Sequence, residues 1–167
     1  MHYNYSMKIS IYMICVGKNR EKYIKEGISE YQKRLSRFCQ LKLIETEEIP
    51  IPEPCHENDQ LQVLRLEAEE IQKKIPTPSE LVSLDIQGKA FSSEDFALWL
   101  ERYSSYASMP LVFIIGGSLG LDSSLLEKAK LRLSLSPMTF PHMLSRLIFL
   151  EQLYRAFKIM YREKYHK

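Results

Sequence analysis

Apolar positions along this chain recur at two spacings, and each spacing predicts an element. Residues 8–16 (KISIYMICV) are an apolar, β-rich run closed by Gly17, the pattern of a buried strand. Ile24, Ile28, Tyr31, Leu35 and Phe38 then recur every three or four positions, which predicts an amphipathic helix. Residues 41–44 alternate as a second strand. Prolines at 50, 52 and 54 make residues 47–57 a connecting loop, since neither a helix interior nor a central strand accommodates them. Leu61, Leu64, Ala68, Ile71 and Ile75 form another helical stripe, stopped by Pro76 and Pro78. Residues 81–86 (LVSLDI) predict a strand, followed by a turn at Gln87-Gly88-Lys89.

The second half repeats the alternation. Ser92-Ser93-Glu94-Asp95 places hydroxyl caps and acids where a helix begins, and Phe96, Leu100 and Tyr103 give that helix its buried face. Residues 111–115 (LVFII) are continuously apolar, as a central parallel strand requires. They run straight into Gly116-Gly117-Ser118-Leu119-Gly120. A helix over 123–130 and a short strand over 131–135 follow. Next comes LSLSPMTFPHM (133–143), stiffened by Pro137 and Pro141. The last helix carries Met143, Leu147, Leu150, Tyr154, Phe157 and Tyr161 on one stripe, wide enough to serve both the core and a partner. Strands and helices that alternate in this way define an α/β domain with a mainly parallel sheet.

Composition narrows the class. With 167 residues, 45% hydrophobic and 26% charged, the chain suits one globular domain, here 7–167 behind a polar extension at 1–6. Cys15, Cys39 and Cys55 are too scattered for a disulfide framework and point to a reducing compartment. No stretch is long and apolar enough to span a bilayer, so the expectation is a cytoplasmic protein with no membrane partner. A net charge of +2 gives no global argument for nucleic acid. Local density exists only from Arg155 onward, where Arg155, Lys158, Arg162, Lys164 and Lys167 face Glu163 alone. That cluster suits a solvated helix end as well as a phosphate surface.

Ligands in open α/β sheets bind beyond the carboxyl ends of strands. Three loops there stand out: the end of LVSLDI, the glycine loop after LVFII, and the proline-stiffened segment. Together they suit a flat, partly apolar ligand such as an adenine nucleoside. Each is weak alone, because GGSLG matches neither the dinucleotide nor the P-loop fingerprint, and a glycine turn after a strand is often only a turn. His142, after a proline at a helix start, is open to capping, packing or acid–base work. Glu151 and Arg155 are one turn apart and open to a surface ion pair or a site role. His2, His56, His142 and His166 lack ligand spacing, so no metal is expected.

Four stretches in order, "FIIGGSLGL", "LSLSPMTFPH", "EQLYRAFKIM" and the terminal "YHK", resemble the ribosomal RNA large subunit methyltransferase H family, a SPOUT-class family using S-adenosyl-L-methionine. "KISIYMICVGK" and "LDIQGKAFSSEDFA" fit as well, so the resemblance covers residues 7–167. It implies helices on both faces of the sheet, a C-terminal trefoil knot and a homodimer. The activity implied is methylation at N3 of pseudouridine 1915 of 23S rRNA on the assembled ribosome. Carried over by position, Leu84, Gly116, Leu135, Ser136, Pro137, Met138, Thr139 and Phe140 line the cofactor. His142, Arg155, Tyr165 and His166 become the catalytic candidates, with the Tyr165-His166-Lys167 tail completing a partner's site. A non-catalytic RNA-binding or ribosome-associated module of the same fold is the rival reading.

Overall fold

The protein is described by a computed structural model covering residues 8–106 and 108–164. Among these residues five strands and five helices alternate. They are β1 (Ile9–Val16), α1 (Lys22–Leu35), β2 (Cys39–Thr46), α2 (Glu57–Gln72), β3 (Glu80–Ala90), α3 (Ser93–Tyr106), β4 (Leu111–Ile115), α4 (Ser123–Lys128), β5 (Leu131–Ser134) and α5 (His142–Met160). The strands make one sheet in the order β2-β1-β4-β3-β5, with every neighbouring pair parallel. The carboxyl ends of all five strands therefore lie along one edge.

Both sheet faces are covered, which explains why β4 is buried at every position. α1, α3 and α5 pack on one face around Phe113, Phe149 and Phe157. α2 and α4 cover the other through Ala68, Ile71 and Leu125. The α/β class and the two-sided helical cover expected from the sequence are the ones observed. Ser92 caps α3 as its sequence requires: its Oγ accepts from the Asp95 amide at 3.0 Å and donates to the Asp95 carboxylate at 2.8 Å.

Three sequence expectations change. β3 does not end in a turn at 87–89 but continues to Ala90. Leu133 of β5 aligns first with Leu84 and then with Lys89, so 85–88 form an excursion within the strand. Gly88 permits it, because a Cβ there would stand 2.5 Å from the Arg132 carbonyl oxygen. In α2 the buried positions are Val63, Glu67, Ala68 and Ile71, while Leu61 is 56% exposed. In α5 the inward line is Arg146, Phe149, Leu150, Leu153, Ala156 and Phe157. Of the expected stripe only Leu150 and Phe157 are fully covered. Met143, Leu147, Tyr154 and Tyr161 flank them half-buried, with Leu147 set against Gly27 of α1, where a Cβ would come within 2.8 Å.

α4 begins directly after the glycine loop, and its start is fixed by one carboxylate. Asp122 accepts from the Ser124 amide at 2.9 Å and from the Ser124 hydroxyl at 2.5 Å. Asp122→Ala removes that cap and is expected to cost about 1 kcal/mol. Thermal unfolding should then shift down by roughly 2–4 °C.

Candidate functional site

Three loops converge at the carboxyl edge of the sheet to enclose a cavity of about 660 Å³. The start of the excursion in β3 contributes Leu84 and Asp85, the β4–α4 loop contributes 116–121, and the segment between β5 and α5 contributes most of 135–141. Of the residues the resemblance assigns to the cofactor, Leu84, Gly116, Leu135, Ser136, Met138, Thr139 and Phe140 all line this one cavity. Pro137 is exposed in the same turn and is not part of the lining. The turn is held by two local bonds and one to β3. The Ser134 hydroxyl lies 3.2 Å from the Ile86 carbonyl and 3.1 Å from that of Ser136, and Ser136 Oγ accepts from the Met138 amide at 3.0 Å.

The chemistry of the walls discriminates between ligands. Most lining side chains are apolar, and neither lysine nor arginine is among them. Phosphate groups would find no counter-charge here, whereas an uncharged nucleoside edge finds backbone groups in the glycine loop. Asp85 is the carboxylate in the wall, and Arg132 holds it through Nε at 2.7 Å. A nucleoside carrying a sulfonium or ammonium group fits this donor set. A dinucleotide does not.

His142 is the first residue of α5, after Pro141, and that helix starts without a side-chain cap. The imidazole is half-buried, and its Nε2 has no hydrogen-bond partner. Burial holds its pKa below the usual 6.5; Glu48 pulls it up and Arg146 pushes it down. At neutral pH the ring is therefore uncharged and able to accept a proton.

Arg155 lies elsewhere. Thirteen residues separate it from His142 along α5 (155 minus 142), about 20 Å of helix. Its guanidinium meets Glu151 at 2.7 and 3.1 Å. Within one chain the structure does not bring Arg155 to the cavity. Tyr165 and His166 lie outside the described residues. Part of the basic cluster is internally matched: Lys158 reaches Glu163 at 2.6 Å, and Arg37 reaches the same carboxylate at 2.5 Å.

Sequence reasoning missed two buried charges beside this edge. Arg146 is fully covered, one turn beyond His142. Its Nη1 meets Glu45 at 2.8 Å, and its Nη2 donates to the carbonyls of Val16 at 2.5 Å and Gly17 at 2.8 Å. Glu67 of α2 accepts from the Ile49 amide at 3.2 Å and lies against Gly117, where a Cβ would be 3.4 Å from its carboxylate. Burial raises the Glu67 pKa, partly offset by that amide, while Glu48 raises it further. Spacing was the available signal, since Arg146 keeps the 3–4 interval with Phe149 and Leu150. Burial also pushes the Cys15 and Cys39 thiols up to about 12, so both remain unreactive. Among the described residues no group of His, Cys, Asp and Glu side chains is arranged to hold a metal, and no helix is long and apolar enough to cross a membrane.

A parallel sheet with a mostly apolar cavity free of lysine and arginine, built from loops at its carboxyl edge, defines the class: an α/β protein with a candidate ligand site at its strand ends. Residues 7–166 match the family described as "Predicted SPOUT methyltransferase". The ribosomal RNA large subunit methyltransferase H of Acetivibrio thermocellus is 50% identical over 161 residues, spanning 96% of this chain and all of the relative. The protein of the same name from Carboxydothermus hydrogenoformans is 46% identical over 159 residues, 95% of this chain and all of that one. The chain belongs to the ribosomal RNA large subunit methyltransferase H family of SPOUT methyltransferases. Solved structures agree on the fold. A probable methylase family protein from Haemophilus influenzae superposes with a TM-score of 0.52 at 15% identity, covering 96% of this chain and 72% of that one. A probable methyltransferase from Bordetella pertussis gives 0.52 at 10% identity, covering 89% and 94%.

Proposed function

We propose that this protein methylates N3 of pseudouridine 1915 in 23S rRNA on the assembled ribosome, in the cytoplasm, as a homodimer using S-adenosyl-L-methionine. The observation that carries the reading is the cavity itself: seven of the eight carried-over cofactor positions line one space without phosphate-binding cations, in a chain of this family. Leu84, Gly116 and the 135–140 segment would hold the nucleoside, mostly through backbone groups. The knot typical of the class would form where the C-terminal helix threads back through a loop. When bound, S-adenosyl-L-methionine supplies an electrophilic methyl carbon, and its sulfur keeps the bonding pair as that methyl leaves.

The protein's own tasks are positioning and proton removal. The N–H bonding pair of N3 becomes the new N–C bond, so a proton must depart. His142 is the acceptor in this reading, being uncharged, unpartnered at Nε2 and part of the cavity wall. Arg155 and the Tyr165-His166-Lys167 tail act from the partner subunit, gripping phosphate and stacking on a splayed base. Such a site is complete only in the dimer.

The test uses ribosomes from cells lacking this gene, mixed with purified protein and methyl donor and then mapped by mass. One added methyl at the pseudouridine is the expected result. Calorimetry showing no S-adenosyl-L-methionine binding would instead favour the rival, a non-catalytic ribosome-binding module. Deleting residues 165–167 should leave cofactor affinity unchanged and lower methylation at least about tenfold, the weight of a stacked base. Undiminished activity in that variant would remove the tail from the site.

A further inference from the structure

A second cavity, of about 500 Å³, opens beside the first. Its walls are Lys18 and Arg20 from the β1–α1 connection, residues 47–51 after β2, and the start of α5. His142 is the one lining residue it shares with the cofactor cavity, so groups held in the two spaces meet at the imidazole. Polar atoms without partners gather around the same edge. Asn19 Nδ2, Thr46 Oγ1, His142 Nε2 and Arg146 Nε are all buried with no hydrogen bond. Of these, His142 Nε2 belongs to a residue that lines both cavities, and buried polar groups rarely stay unpaired, so a hydrogen-bonding ligand is favoured beside it.

We propose that this second cavity receives the acceptor nucleotide, a flat, uncharged pyrimidine-type ring turned out of a single-stranded RNA loop, with its phosphates at Lys18 and Arg20. The inference rests on the methyltransferase reading above. The volume lies within the range of small-ligand sites. Pro50, Ile51 and Met143 give the ring an apolar bed. Lys18 and Arg20 are exposed at the mouth, where a phosphate stays hydrated, and Lys18 also pairs with Glu47 at 2.5 Å. The carboxylates of Glu21, Glu47 and Glu48 in the same wall exclude the phosphate from the interior and leave room for the neutral base. One ligand is thereby oriented at both ends.

Glu48 has a second task. A Cβ on Gly17 would stand 3.3 Å from its carboxylate and 3.4 Å from Met143, which fixes the carboxylate beside the first turn of α5. As N3 gains its methyl, the N3 proton passes to His142 Nε2, and the imidazolium so formed faces Glu48 before releasing the proton to solvent. Glu48 is thus a positioning residue acting through His142. The charges bearing on that ring are Glu48, which favours its protonation, and Arg146, which opposes it. Lys18, Arg20, Glu21 and Glu47 line the acceptor side, and Asp85 the cofactor side.

Two exposed positions test this without touching the core. Arg20→Glu should raise KM for ribosomes by roughly tenfold or more, the effect of losing and reversing one charged contact, with kcat nearly unchanged. Glu48→Gln should lower kcat more than it changes KM, and the acid limb of its kcat–pH profile should move to lower pH, because the group that raises the His142 pKa is gone. Calorimetry should give both variants wild-type affinity for S-adenosyl-L-methionine. Wild-type kinetics in both, or lost cofactor affinity in Arg20→Glu, overturns the acceptor assignment while the methyltransferase reading stands. A wild type that binds cofactor yet methylates no ribosome overturns the activity, and this assignment with it.

Discussion

Gly116→Ala is expected to weaken S-adenosyl-L-methionine binding by roughly 30- to 100-fold in calorimetry, equivalent to two or three lost backbone hydrogen bonds. The reason lies inside the loop. A Cβ at Gly116 would stand 2.1 Å from the carbonyl oxygen of Gly120 and 2.5 Å from its carbon. Both atoms are backbone, so no side chain can swing aside. The Gly120 amide donates to the Gly117 carbonyl at 3.1 Å, closing the turn that the methyl would force open. The whole 116–121 wall of the cavity would move with it. Gly120→Ala is the matched control: nothing lies within 4 Å of its Cβ position, but φ is +87° there. Its penalty is the left-handed backbone alone, about 1–2 kcal/mol of stability. Normal cofactor affinity in Gly116→Ala would move the binding site away from this loop.

Arg146→Met should lower thermal stability more than any surface change, by about 3 kcal/mol, or roughly 6–12 °C in Tm. The arginine is fully buried and serves three acceptors at once, Glu45 and the carbonyls of Val16 and Gly17. Methionine matches much of its volume, so the loss isolates the polar contacts rather than a cavity. Glu45 still accepts from the Asn19 amide at 3.0 Å, but its main counter-charge is gone. Arg146→Lys keeps the charge without the planar fork and should fall between the two. Circular-dichroism melts of the three proteins decide it, and equal Tm values would mean that the buried network contributes nothing net. Glu45→Gln combined with Arg146→Met should cost less than the sum of the single changes, since the two groups touch.

The strands and helices were legible because their apolar spacing is their cause. The run at 111–115 is uninterrupted because helices cover both faces of β4, and Ser92 is where α3 starts because its hydroxyl ends the amide ladder. The site's three loops were legible for a related reason: glycine and proline mark where backbone departs from regular structure. Arg146 and Glu67 were not, because a period-based reading assigns charges to solvent, and only the packed fold shows what they satisfy. Gly88 misled in the opposite sense. It looked like a turn residue, yet it lets β3 bulge against Arg132 and continue. The second cavity has no local signature, since its walls come from positions 18, 20–21, 47–51 and 142–143.

Arg146 also ties together parts of the chain made far apart in time. Its bond to the Val16 carbonyl spans 130 residues, and its bond to Glu45 spans 101. Chains assembled through such distant pairings fold slowly, because long loops must close before any contact stabilises them. During synthesis β1 and β2 emerge long before α5 exists to cover them, and their shared edge waits with its acceptors bare. Both cavities take their shared wall from His142, four residues before Arg146, so each comes into being only when α5 docks. α5, the last of the described helices to be synthesised, is thus the one that completes both cavities.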